Sequence, residues 1–280
     1  MVTQPDRPAG RGHKLQPTPV KRVALELGIP TLEPARMRDA LEALRACEAD
    51  VFALASYGKI VPQAVLDLPP LGALNVHPSL LPLYRGATPL QAQLRDGVTQ
   101  GGVTIMLMDA GLDTGDIVLQ RETAIGPDEI YGELHDRLAT GGAAMLAEVL
   151  ALAARGPLPR EAQTARGVDP ARIAATATRP LEKADLEIDW AWSARRIADH
   201  VRSLSPAPGA RAELGGERVK LLRVSVRDGA ATAAPGTLLD ASGDAALVAC
   251  GDGVVGVERL VPPNRGPLDG AAFARARAAV

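Results

Sequence analysis

Two strand-length, near-continuous apolar runs, Asp50 to Ser56 and Gly102 to Met108, do most to limit how this chain can fold. A strand wetted on one face alternates apolar with polar residues; a strand covered on both faces need not. Helical patterns precede the first run. Pro19 to Leu27 reads as a helix with Val20, Val23, Ala24 and Leu27 on one face and Gly28 as its stop, and Met37, Leu41, Leu44 and Cys47 repeat the spacing. Alternating helices and strands predict a parallel α/β sheet, with ligands at the carboxyl ends of its strands. Ile130, Leu134, Leu138, Met145, Val149 and Leu152 then mark a long helix that closes this domain.

From Gly156 to Pro180 periodicity is lost and Pro, Arg, Thr and Ala dominate, which reads as a linker crossing the surface. Beyond it, Ala191 to Ser203 is one more helix. Val219, Leu221, Leu222, Val224 and Val226 alternate with one phase slip, as a bulged strand does. Leu238-Leu239, Ala245 to Cys250 and Val254 to Leu260 continue as short strands, so a small OB-like β-barrel is expected here. At 280 residues the chain is long enough for two cores, placed at 1–155 and 181–280 with the linker at 156–180.

An amide, an imidazole and a carboxylate sit on short polar segments bordering apolar runs. They are Asn75 and His77 in Asn75-Val-His77-Pro-Ser79-Leu-Leu-Pro82, and Asp113 in Asp109-Ala-Gly-Leu-Asp113-Thr-Gly-Asp116. If Ala73 to His77 is extended, Asn75 and His77 point to the same face. Acyl or formyl transfer suits such a trio, because a carbonyl oxygen gains negative charge as its carbon becomes tetrahedral. A preorganised donor to that oxygen is worth about 2.7–4 kcal/mol of barrier. A carboxylate beside the imidazole favours its charged form. Spacing alone leaves open the plainer reading, a His at a strand end with no chemical role. Asp109, Asp113 and Asp116 lack the spacing of a calcium loop, Leu112 interrupts them, and the four His are scattered, so no metal site is expected.

Net charge is −2, which argues against a general polyanion binder, yet Arg7, Arg11, Lys14, Lys21 and Arg22 form a local basic patch opposed only by Asp6. With aromatics at 2%, nucleic acid has to be held by charge rather than by stacked rings. Cys47 and Cys250 form no disulfide framework. No secretory signal or membrane-length apolar run is present, so a cytoplasmic location and no membrane partner are expected.

NVHPSLLPLYRGATPLQ (Asn75 to Gln91) and GVTIMLMDAGLDTGDIV (Gly102 to Val118) resemble the folate-dependent formyltransferases. TQPDRPAGRGHKLQP, from Thr3 to Pro17, is similar to the basic loop of their tRNA-acting branch, the methionyl-tRNA formyltransferases. The resemblance implies a Rossmann-like formyltransferase domain followed by a tRNA-binding barrel, acting as a monomer without metal. It implies 10-formyltetrahydrofolate as donor and the α-amine of methionine on charged initiator tRNA as acceptor. Asn75 and His77 would meet the oxyanion. Asp113 would keep His77 charged and assist proton removal, and Ser79, Leu80, Leu81 and Pro82 would contact folate. Arg7, Arg11, Lys14 and Lys220 would face tRNA, with Arg218, Arg223 and Arg265 as further candidates. Leu83 stands where the family often has Arg, so part of its positive surface is missing. A small-amine formyltransferase, a formyltetrahydrofolate hydrolase and a catalytically impaired RNA-binding protein are the alternatives; the basic loop and second domain favour tRNA. In the family a βα unit with a Gly-Thr-Pro loop precedes the position of Met1-Val2-Thr3. The expectation is therefore a missing first unit, through a start site placed too late or a real truncation.

Overall fold

The computed structural model describes residues 1–9, 14–230 and 232–278. The chain begins with a β-hairpin, β1 (Arg7–Ala9) against β2 (Lys14–Gln16), followed by α1 (Pro19–Glu26). A short 3-10 turn leads into α2 (Leu41–Arg45), then come β3 (Phe52–Leu54), α3 (Gln63–Leu66) and β4 (Ala73–His77). After α4 (Pro89–Arg95), β5 (Gln100–Leu107) and β6 (Ile117–Ala124), the chain enters the long helix α5 (Tyr131–Ala153). Next are α6 (Pro170–Ala175), α7 (Ala194–Leu204), β7 (Ala210–Leu214), β8 (Glu217–Arg227) and β9 (Leu238–Ser242). β10 (Ala245–Ala249), β11 (Val254–Val261), β12 (Leu268–Asp269) and α8 (Gly270–Ala278) complete it.

Two compact units emerge, one of Met1–His77, Thr104–Gln120 and Gly142–Val168, the other of Pro78–Val103, Arg121–Gly141 and Asp169–Val280. In the first unit Met37, Ala40, Leu44 and Val65 form a buried cluster. Helix α1 departs from the sequence reading. Ala24 is buried, but Val20, Val23 and Leu27 are exposed, so the apolar stripe faces outward. Polar contacts hold the helix instead: the Thr18 hydroxyl caps it by accepting from the Lys21 amide, and Lys21 Nζ reaches Asp6 at 2.8 Å and Glu33 at 2.9 Å.

The sheet runs β3-β4-β5-β6 and is mixed. β3 lies parallel to β4, as expected of an α/β sheet, while β5 runs antiparallel to it, with Leu107 opposite Leu74 and Thr104 opposite His77. An apolar run does not encode strand direction, because covered strands look alike whichever way they run.

The stretch read as a linker crossing the surface carries local structure. Ile117 and Glu161 exchange backbone hydrogen bonds of 2.8 and 2.9 Å, a 3-10 turn spans Gln163–Arg166, and Asp169 caps α6. Within the second unit, Thr178 donates its amide to Arg85 O, beside Gly86. Gly86 has φ +106°, and a Cβ there would meet Thr178 O at 2.1 Å, so glycine is required.

The C-terminal strands form an antiparallel sheet in the order β7-β8-β11-β10-β9, with β12 on β11. The phase slip read at Leu221-Leu222 is real: Leu222 on β8 and Glu258 on β11 each fall out of register with the facing strand. Ile197, Val201 and Leu204 of α7 and Phe273 of α8 pack with Val219, Leu221, Val248, Val255 and Leu260 in one core. Burying each of the larger side chains contributes about 1.5–3 kcal/mol.

Candidate active site

Strand β4 ends at His77, and Asn75, two residues earlier, projects from the same face. His77 is buried, and its Nδ1 lies 3.6 Å from Asp113 Oδ2, so imidazole and carboxylate converge as the sequence suggested. The distance exceeds a direct hydrogen bond. Thr104, across from His77 on β5, accepts from Gln120 Nε2 at 2.8 Å.

The Asp109–Asp116 segment is a built loop. Asp109 Oδ1 accepts from the Gly111 amide at 3.0 Å, and the Thr114 hydroxyl donates to both Asp109 oxygens at 2.7 and 2.9 Å. Asp109 therefore organises the turn, Asp116 accepts from Leu107 N through its backbone oxygen, and the carboxylate of Asp113 is the one paired with His77. Asp113 adopts φ +54°, an uncommon left-handed conformation for a non-glycine residue. Sequence reasoning missed Gln163. Its buried amide donates to Asp113 O at 2.9 Å and to Gly115 O at 2.8 Å. Nothing in the polar stretch around it distinguishes it from a surface glutamine.

In the second unit, the Ser79 hydroxyl donates to Leu83 O at 2.7 Å and fixes the turn that contains the candidate folate segment. Ser79, Leu81 and Pro82 are buried and Leu80 is partly exposed, so the segment offers a ligand its backbone and Leu80. Leu80 also borders a cleft of about 390 Å³ with Leu83, Tyr84, Gln93, Asp96 and Arg172. The Tyr84 phenol donates to Asp96 there, and burial, reinforced by that carboxylate, raises its pKa well above the usual value.

The basic candidates divide. Arg7 is exposed on β1 and bonds Gln4, while Arg11 lies outside the described residues. Lys14 pairs with Ala9 through the hairpin backbone. Lys21 departs from the expected patch: hydrogen bonds to Asp6 and Glu33 commit its ammonium and raise its pKa. On β8, Lys220 is exposed between buried Val219 and Leu221 and lies across from Arg211, a second cation that sequence reading did not place there. Arg218 and Arg223 are paired with Glu187 and Glu133. Among the described residues no cluster of three His, Cys, Asp or Glu could hold a metal ion.

The chain has relatives among known proteins. A formyl transferase family model matches residues 1–150, and a formyl transferase C-terminal domain model matches 180–278. A protein of Delftia acidovorans named methionyl-tRNA formyltransferase is 45% identical, over 91% of this chain and 80% of its own. One so named from Xanthomonas campestris pv. campestris is 44% identical, over 99% of this chain and 89% of its own. Among solved structures, HypX from Aquifex aeolicus superposes with a TM-score of 0.65 at 19% identity, over 91% of this chain and 44% of that one. An N-formyltransferase from Helicobacter canadensis gives 0.65 at 14% identity, over 91% of this chain and 86% of its own. These two establish a shared fold. With family models over both halves and relatives this close along nearly its whole length, the chain belongs to the formyl transferase family.

Proposed function

We propose that the chain transfers a formyl group from 10-formyltetrahydrofolate to the α-amine of methionine esterified to initiator tRNA, in the cytoplasm, as a monomer. The observation that carries this reading is the convergence of His77 and Asp113 beside Asn75, in a chain whose relatives at 42–46% identity are named methionyl-tRNA formyltransferases. No helix among the described residues is long and apolar enough to cross a membrane.

The amine attacks the formyl carbon, forming the C–N bond, and the carbonyl oxygen takes up negative charge. Asn75 and His77 donate to it. The amine loses a proton, assisted by Asp113, and the tetrahedral carbon collapses by breaking its bond to folate N10, which leaves with a proton. An α-amine titrates near 7.7–8.0, so an unprotonated fraction is available at neutral pH. Ser79, Leu80, Leu81 and Pro82 border the folate. Arg7, Arg11, Lys14 and Lys220 engage tRNA phosphates. Residues 1–155 form the formyltransferase domain, 156–180 the connection and 181–280 the tRNA-binding domain.

The test is formyl transfer to charged initiator tRNA beside free methionine and small amine acceptors. Efficient turnover of the charged tRNA alone is expected. Equal use of a small amine, or formyl release to water alone, overturns the assignment.

A further inference from the structure

We infer that Gln163 is a positioning residue for this reaction: from the connecting segment, its side-chain amide holds the loop that carries Asp113 within reach of His77. The inference rests on the formyl-transfer reading for the role of Asp113.

Because β5 runs against β4, Leu107 ends opposite Leu74, at the far end of β4 from His77. The loop that follows must bring Asp113 back along the sheet to approach the imidazole. Such a loop presents carbonyls that need donors once buried. Gln163 Nε2 supplies two of them, to Asp113 O at 2.9 Å and Gly115 O at 2.8 Å, so both amide protons are committed on either side of Thr114. Gln163 is itself fixed. It is 4% exposed, and two residues before it Glu161 exchanges backbone bonds with Ile117, the first residue after the loop. Close packing adds a constraint, since a Cβ on Gly115 would stand 1.8 Å from Leu107 O. Asp109 organises the loop from within; Gln163 ties it to a neighbouring segment. Displacing a reacting group by about 1 Å can cost 10²-fold in rate. A hold on the carbonyl of Asp113 itself, seconded by one on the carbonyl of Gly115, therefore acts on catalysis through Asp113.

Gln163→Met keeps the length of the side chain and removes both donors. Single-turnover formylation is expected to slow about 30-fold, with KM for charged tRNA within about threefold of wild type. In an Asp113→Asn background the same change is expected to cost under about threefold, because the two residues act through one group. A normal rate, a loss carried by KM, or a full 30-fold loss in the Asp113→Asn background overturns the inference. Gln163→Glu, whose carboxylate faces two carbonyls, is measured in parallel. If neither variant folds by circular dichroism, the residue serves general stability and the inference fails. Hydrogen exchange of residues 109–116 gives a readout independent of the acceptor. Faster exchange in the variants supports the inference, and unchanged exchange overturns it even if wild type fails to formylate tRNA, a failure that by itself would count against the proposed function.

Discussion

His77 Nδ1 lies 3.6 Å from Asp113 Oδ2, with the imidazole buried at the end of β4 and the carboxylate held in the loop after β5. A small closure on substrate binding would make this a direct hydrogen bond. His77→Ala is expected to lower kcat at least about 10²-fold through the lost oxyanion donor, with tRNA affinity nearly unchanged. Asp113→Asn is expected to lose about 10²–10⁴-fold. Steady-state kinetics with a separate tRNA-binding measurement check both; weak binding with normal turnover would contradict the assignment.

Phosphate contacts reveal themselves in salt dependence. Arg7→Ala, Arg11→Ala and Lys220→Ala are each expected to weaken tRNA binding and to reduce the slope of log affinity against log salt by roughly one. Lys21→Ala is expected to lower the thermal midpoint instead, since its ammonium already bridges Asp6 and Glu33. An unchanged slope in all three binding variants would remove these residues from the interface.

His200 is buried against the Trp192 ring, its Nε2 has no hydrogen-bond partner, and burial, aided by Arg95 and Arg196, pushes its pKa down to about 4. The unfolded chain protonates this group near pH 6.5, before the folded protein does. Its contribution is therefore intact above pH 6.5 and is lost as pH falls from there toward 4, at about 3 kcal/mol over the whole window. Asp185, held near 2 by Arg179, acts lower: its stabilisation is present above the unfolded value near 3.8 and is lost below it. Urea unfolding of wild type and His200→Leu from pH 7.5 to 4.5 checks this. Identical pH slopes in the two proteins would refute the role of His200.

Gly115→Ala places a methyl 1.8 Å from Leu107 O, a clash with backbone that cannot swing aside. Loss of the Asp113 geometry should lower kcat more than about tenfold and depress the melting temperature. Normal kcat in a well-folded Gly115→Ala protein would show that the loop tolerates displacement.

Much of the architecture was legible because burial periodicity is local. Leu134, Leu138, Met145 and Val149 are buried along α5 as their spacing predicted, whereas Leu152 is exposed near its end and Ile130 precedes it; Leu222 marks the register slip on β8. The outward stripe of α1 and the reversed direction of β5 were not legible, since apolar spacing states neither what covers a face nor which way a strand points. Of the site, the two candidate segments stood out because polar residues interrupt apolar runs. Gln163 did not, as its significance lies in carbonyls some fifty positions away.

The reversal of β5 makes the span of the Asp109–Asp116 turn a fixed quantity, because each residue of extended chain reaches only about 3.3–3.6 Å. Excising a single residue there would shorten the turn's greatest reach by up to about that much. Side-chain replacements at Ala110 or Leu112 should be forgiven where a one-codon deletion is not, and a deletion scan of the turn would expose the asymmetry.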